Sequence, residues 1–104
     1  MQLADVRRLA MALLGTTESP HHRYTSFRVR GRIYATAPVE GGSLHVFLDE
    51  EDRDRMVRLE PGVYEQLGWG RKVVGLRVDL ARAKPDDVAG LLRAAWQRKL
   101  PRRA

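Results

Sequence analysis

Two segments with helical spacing bracket a middle in which apolar and polar residues alternate, and that order of periodicities confines the chain to an α+β fold. Leu3, Val6, Leu9, Ala10 and Leu13 recur at intervals of three and four, which predicts a first helix over residues 2–14 with Gly15 placed to cap it. At the other end Pro85 suits a helix's first turn and Asp86 and Asp87 its positive terminus, while Val88, Leu91, Leu92, Ala95 and Trp96 form a buried stripe. Between these ends, residues 26–29 and 32–37 read as two strands around Gly31, in a register that Arg30-Gly31-Arg32 alone does not fix. Leu44, Val46 and Leu48 alternate with Ser43, His45 and Phe47 in a third strand. Residues 73–80 make a fourth, with Val74, Leu76, Val78 and Leu80 on one side. Asp49 caps a middle helix whose inward face holds Met56 and Leu59 and which Pro61-Gly62 stops. Residues 16–23 are polar, carry Pro20 and read as a loop, and residues 63–70 read as irregular but packed through Tyr64, Leu67 and Trp69. The expected order is α-β-β-β-α-β-α: a twisted antiparallel sheet of four or more strands with about three packing helices.

A chain of 104 residues suits one core, so a single domain over residues 1–104 is expected, burying about 65% of the unfolded chain's surface. Absence of cysteine removes disulfides, thiol nucleophiles and zinc–thiolate sites, and with the lack of a long apolar run it points to a cytoplasmic protein with no membrane partner. His21 and His22 are adjacent and read as a solvated loop pair, because neighbouring side chains rarely converge on one ion; His45 reads as a half-exposed strand residue. No metal and no cofactor is expected. Neither Ser19, Ser26 nor Ser43 has the surroundings of a nucleophile, and Gly68-Trp69-Gly70-Arg71-Lys72 leads into a strand and lacks the Ser or Thr of a phosphate loop. The acidic run 49–52 is accounted for as helix-dipole partners. No catalytic constellation is found, and the expectation is a binding module and not an enzyme.

The net charge of +6 is unevenly spread: residues 1–52 hold six basic and seven acidic side chains, whereas residues 53–104 hold thirteen and six. Such a surplus draws polyanions. The candidate contact residues are Arg28, Arg30 and Arg32 at the first hairpin, Arg71 and Lys72 beside Trp69, and Arg98, Lys99, Arg102 and Arg103 near the end of the chain. Arginines on strands and hairpin tips follow a phosphate backbone, and a neighbouring Trp69 could stack on a base. No helix carries the clustered Arg, Asn and Gln of a recognition helix, so readout of a base sequence is not expected. The competing reading is a protein-interaction or small-ligand module whose basic residues are incidental. A contiguous basic face favours nucleic acid, and a cleft lined by His45, Tyr34 and arginines favours a ligand.

Residues 26–35 (SFRVRGRIYA), the junction 47–51 (FLDEE), Gly68-Trp69-Gly70 and the closing stretch 95–103 (AWQRKLPRR) together resemble the MmcQ/YjbR family, in order and over nearly the whole chain. The resemblance implies an α+β fold with a twisted antiparallel sheet in a double-wing arrangement and a description as a predicted DNA-binding protein. It carries no catalytic residues. Phe27, Ile33, Ala35, Trp69 and Trp96 match positions best explained by packing, and the hairpin arginines match positions that are commonly basic.

Overall fold

The alternating runs pair into one antiparallel sheet of six strands, and the helical stripes pack on one of its faces. The computed structural model describes residues 1–101 and, of Trp69, the backbone alone. In chain order the elements are α1 (Leu3–Met11), β1 (Thr16–His21), β2 (Tyr24–Val29), β3 (Arg32–Pro38), β4 (Ser43–Val46), α2 (Glu50–Leu59), β5 (Tyr64–Trp69), β6 (Lys72–Asp79) and α3 (Pro85–Arg98). The strands lie in the order β1-β2-β3-β4-β6-β5. This is the expected class with two more strands than the four read from the sequence. Both additions are edges. Residues 16–23, expected as a loop, form β1 and the turn after it, and residues 63–70, expected as irregular, form β5. An edge strand pairs on one side only, so β1 tolerates Pro20, which has no N–H to donate, and neither strand needs the strong alternation of a central one.

Capping places α2 where the sequence indicates. Asp49 Oδ1 accepts a hydrogen bond of 2.9 Å from the Asp52 amide, and Glu50, Glu51 and Asp52 occupy the positive first turn. Helix α3 begins at Pro85, whose missing N–H costs nothing at that position. The first helix is shorter than its periodicity suggests, ending at Met11, and Gly15 (φ 77°) lies beyond it in the turn into β1. α1 and α3 pack on each other and over β1, β3 and β4, while α2 covers β5 and β6. Phe27, Tyr34, Leu44, Val46, Leu76 and Val78 from the sheet meet Val6, Ala10, Val88, Leu92 and Ala95 from the helices, all fully buried. Each large side chain among them stabilises the fold by roughly 1.5–3 kcal/mol relative to exposure.

One buried polar link ties this core together. The Tyr34 hydroxyl shares a 2.9 Å hydrogen bond with Thr16 Oγ1 and donates weakly, at 3.4 Å, to the Ala10 carbonyl, joining β3 to β1 and α1. Trp96, expected within the buried stripe, is only half-buried. Its indole N–H donates at 2.9 Å to the Leu14 carbonyl, so it seals the junction after α1. Among the described residues, no helix packs on the opposite face of the sheet.

Candidate functional site

The hairpins β2–β3 and β5–β6 are built alike. Each closes on two turn residues, Arg30-Gly31 between the pair Val29–Arg32 and Gly70-Arg71 between the pair Trp69–Lys72. Arg30 (φ 52°) and Gly31 (φ 76°) are both left-handed, the requirement of a type I′ turn, and Gly70 has φ 60°. In each hairpin a second pair follows, Arg28–Ile33 and Gly68–Val73, and then the register jumps by one residue at Tyr34 and at Val74. A bulge of this kind adds twist and turns the strand's faces over. The expectation that Val74 shares the inward side of Leu76 and Val78 is overturned here: Val74 faces the open side of the sheet. Equivalent positions of the two hairpins fall on opposite faces. Phe27 and Tyr34 are in the core, whereas Leu67 and Val74 line a cleft on the open face.

Strand β4 is antiparallel to both β3 and β6, so the two return strands run the same way and both turns lie at one end of the sheet. The C-terminal end of α3 reaches that end too, where an Arg98 guanidinium N–H donates at 2.8 Å to the carbonyl of Phe47, just past β4. Arg30, Arg32, Arg71, Lys72 and Arg98 are exposed, and Lys99 is half-buried. Partial burial, then the charges of Arg98 and Arg32, hold the Lys99 ammonium below the usual lysine value, so the first turn and the end of α3 share one electrostatic field. Arg28 is half-buried, its Nε donating to Ser26 Oγ at 3.1 Å. Arg102 and Arg103 lie outside the described residues, as does the Trp69 side chain.

Among the described residues, none of these seven cations makes an ion pair; the paired arginines are Arg7, Arg8, Arg53, Arg55, Arg77 and Arg82, elsewhere on the molecule. Acidic groups are present at the same end. Residues 49–52 start α2 on the helix side, where Asp49 caps the helix and Asp52 pairs with Arg55 at 3.1 Å.

The open face carries a second constellation. Its central rung crosses all six strands through Ser19, Ser26, Thr36, His45, Arg77 and Glu65, each directly opposite the next. Around His45 the face is concave, forming a cleft of about 460 Å³ to which His21, His22, Tyr24, Phe47 and Arg77 contribute. His45 is 8% exposed, much less than expected for a strand residue facing away from the core, because Tyr24 lies against it with ring centroids 5.7 Å apart. Burial, and secondarily Arg77, hold its imidazole below the ordinary histidine value, so it is neutral at pH 7. His21 and His22, read as a solvated pair, stand at the cleft's rim. Tyr34, expected beside His45 in any such cleft, lies instead on the core side, and Tyr24 takes that position. Only the cross-strand register brings these residues together, and the order of the sequence gives no signal of it. Among the described residues no cluster of His, Asp or Glu has the arrangement to hold a metal ion, and no helix is long and apolar enough to cross a membrane.

No curated protein matches the chain. The crystal structure of the Deinococcus radiodurans protein DR2400, which carries the domain DUF419, is similar to it with a TM-score of 0.76 and 21% sequence identity, over 91% of this chain and 76% of that one. At that identity the likeness is one of fold. The model of the YjbR family matches residues 11–98, which include both bulged hairpins, the His45 rung and all of α3, and the chain belongs to the YjbR family.

Proposed function

We propose that this protein is a nucleic-acid-binding module and not an enzyme, holding the phosphate backbone with the tips of its two equivalent hairpins and the end of α3. The observation that carries the reading is the duplication. Each tip bears two exposed cations, Arg30 and Arg32 on one and Arg71 and Lys72 on the other, with no ion-pair partner among the described residues. Cations without carboxylate partners exchange counterions for phosphates with little competition, and release of those counterions drives association. The tips are three strand spacings apart, about 14 Å at about 4.8 Å per strand. That distance is comparable with the ~12 Å width of the major groove of B-DNA, so the two tips can rest on phosphates of both strands. Asp49 and Asp52 at the start of α2 share a cavity with Arg98, so they weaken the contribution of the end of α3 relative to that of the tips. Arginine suits this role because its planar fork meets phosphate oxygens in pairs.

Contact of the four tip cations with about four phosphates contributes about −3.6 to the slope of the logarithm of affinity against the logarithm of salt on duplex DNA, and the end of α3 adds to it. The test is fluorescence anisotropy with labelled duplex DNA, single-stranded RNA and heparin over about 50 to 300 mM salt. Replacing Arg28, Arg30 and Arg32 together is expected to flatten the slope and weaken all DNA sequences alike, because phosphate contacts position a protein without specifying a site. Failure of the wild type to bind DNA or RNA at low salt overturns the reading. Binding to heparin alone assigns the charge to another polyanion.

A further inference from the structure

The cleft on the open face is separate from the hairpin tips, and none of the seven cations at the tips and the end of α3 lines it. Its lining has one permanently charged residue, Arg77, and no carboxylate. The Arg77 guanidinium does pair with Glu65 at 3.0 Å, but both side chains are largely exposed, at 49% and 61%, so the pair is weakly held and Glu65 stands outside the cavity. At the floor, Thr36 Oγ1 lies 3.4 Å from His45 Nδ1, too far for a strong hydrogen bond. The other ring nitrogen, Nε2, makes no hydrogen bond among the described residues and is not among the buried unpartnered atoms, so it opens on the cavity. The walls are apolar and aromatic, with Tyr24 against His45 on one side and Phe47, Leu67 and Val74 on the other. A volume of about 460 Å³ falls in the range of small-molecule sites.

We propose that this cleft is a binding site for a small organic anion with a flat apolar body, an aromatic carboxylate or its like. Its anionic group meets the Arg77 guanidinium, and the neutral His45 Nε2 and the Thr36 hydroxyl hydrogen-bond to it or to a ring substituent. The body lies between Tyr24 and the Phe47–Val74 wall. Cationic ligands are rejected by Arg77, and a ligand without the flat body leaves the aromatic walls wet. Gly68 keeps the β5 side of the face low, and the Val74 bulge supplies its apolar wall; without the register jump Val74 would point into the core.

The test uses 2-naphthoate, its neutral isostere 2-naphthamide, and acetate, each titrated into uniformly labelled protein and followed by backbone amide and imidazole NMR. 2-Naphthoate is expected to saturate shifts at Thr36, His45, Phe47 and Arg77, and to bind at least about 10-fold more tightly than 2-naphthamide or acetate, since a hydrogen bond to a charged group is worth about 1.5–3 kcal/mol. Arg77→Gln removes an exposed side chain that packs on nothing in the core, and it is expected to abolish the preference for carboxylate over amide while leaving the melting temperature close to wild type. Replacing Arg30 and Arg32 is expected to leave 2-naphthoate binding unchanged. The proposal is overturned by amide and carboxylate binding equally, by an Arg77→Gln variant that keeps the preference, or by shifts that gather at the hairpin tips or nowhere.

Discussion

Gly75 is the residue on which the bulged register of β6 depends, and one added methyl group tests it. Its Cβ would overlap the carbonyl oxygen of Val46 and press on Cα and a ring carbon of Phe47, each 3.2 Å away. The obstacle is backbone of the central strand β4, which is hydrogen-bonded on both sides and has no way to recede. Overpacking of this kind costs about 1–3 kcal/mol, and an immovable neighbour puts Gly75→Ala toward the upper end. In a domain of about 100 residues each kcal/mol shifts the melting temperature by about 4–8 °C, so a fall of about 10 °C or more is expected. Gly90, on the exposed face of α3 with nothing within 4 Å of the place an added Cβ would take, supplies the opposite sign. There alanine raises helix propensity by about 0.5–1 kcal/mol, and Gly90→Ala is expected to melt a few degrees higher. Thermal melts followed by circular dichroism check both. A Gly75→Ala protein as stable as wild type would refute the register of β6 against β4, and with it the position of Arg77 beside His45.

Tyr34→Phe leaves the buried Thr16 hydroxyl without its 2.9 Å partner and is expected to cost about 1–3 kcal/mol in urea unfolding, more than loss of an exposed hydroxyl. Trp96→Phe keeps an aromatic ring over the α1 junction but deletes the hydrogen bond to Leu14, and a loss of about 1 kcal/mol is expected by the same assay. His45 has its folded value held below the ordinary 6.5, so the unfolded chain binds the proton first as pH falls. Stability therefore declines as pH drops through and below about 6.5, and His45→Asn is expected to remove part of that decline in melts run from about pH 7.5 to about pH 5.

The central elements are legible in the sequence because burial on one side leaves a period that the residues must follow. Leu44, Val46, Leu76 and Val78 on the strands and Val88, Leu91, Leu92 and Ala95 on α3 are all core positions that spacing identifies. The edges are not legible, since β1 and β5 pair on one side only and Thr16 to His21 contains a proline that reads as a break. Bulges are equally hidden. Nothing in Ile33-Tyr34-Ala35 or Val73-Val74-Gly75 announces an extra residue, and the likeness of the two hairpins lies in their hydrogen-bond register, with hardly a shared residue type. Of the candidate contact residues, the arginines of the first hairpin stand out by their clustering. That they share an end of the sheet with Arg71 and Lys72 follows only from the crossing order β4-β6-β5. The cleft escapes a reading along the chain because His21, Tyr24, His45 and Arg77 come from four strands and meet only through register.

The most direct test of the two-hairpin account is the salt dependence of duplex DNA binding measured one hairpin at a time. Arg30→Gln with Arg32→Gln, and Arg71→Gln with Lys72→Gln, each remove two cations from one hairpin tip, and all four side chains are exposed, so both double variants should fold. Each is expected to flatten the logarithmic slope by about 1.8 and the quadruple variant by about 3.6, as loss of two and four phosphate contacts requires. A slope that changes for one hairpin and not the other, or a quadruple variant that binds DNA with the wild-type slope, contradicts the account.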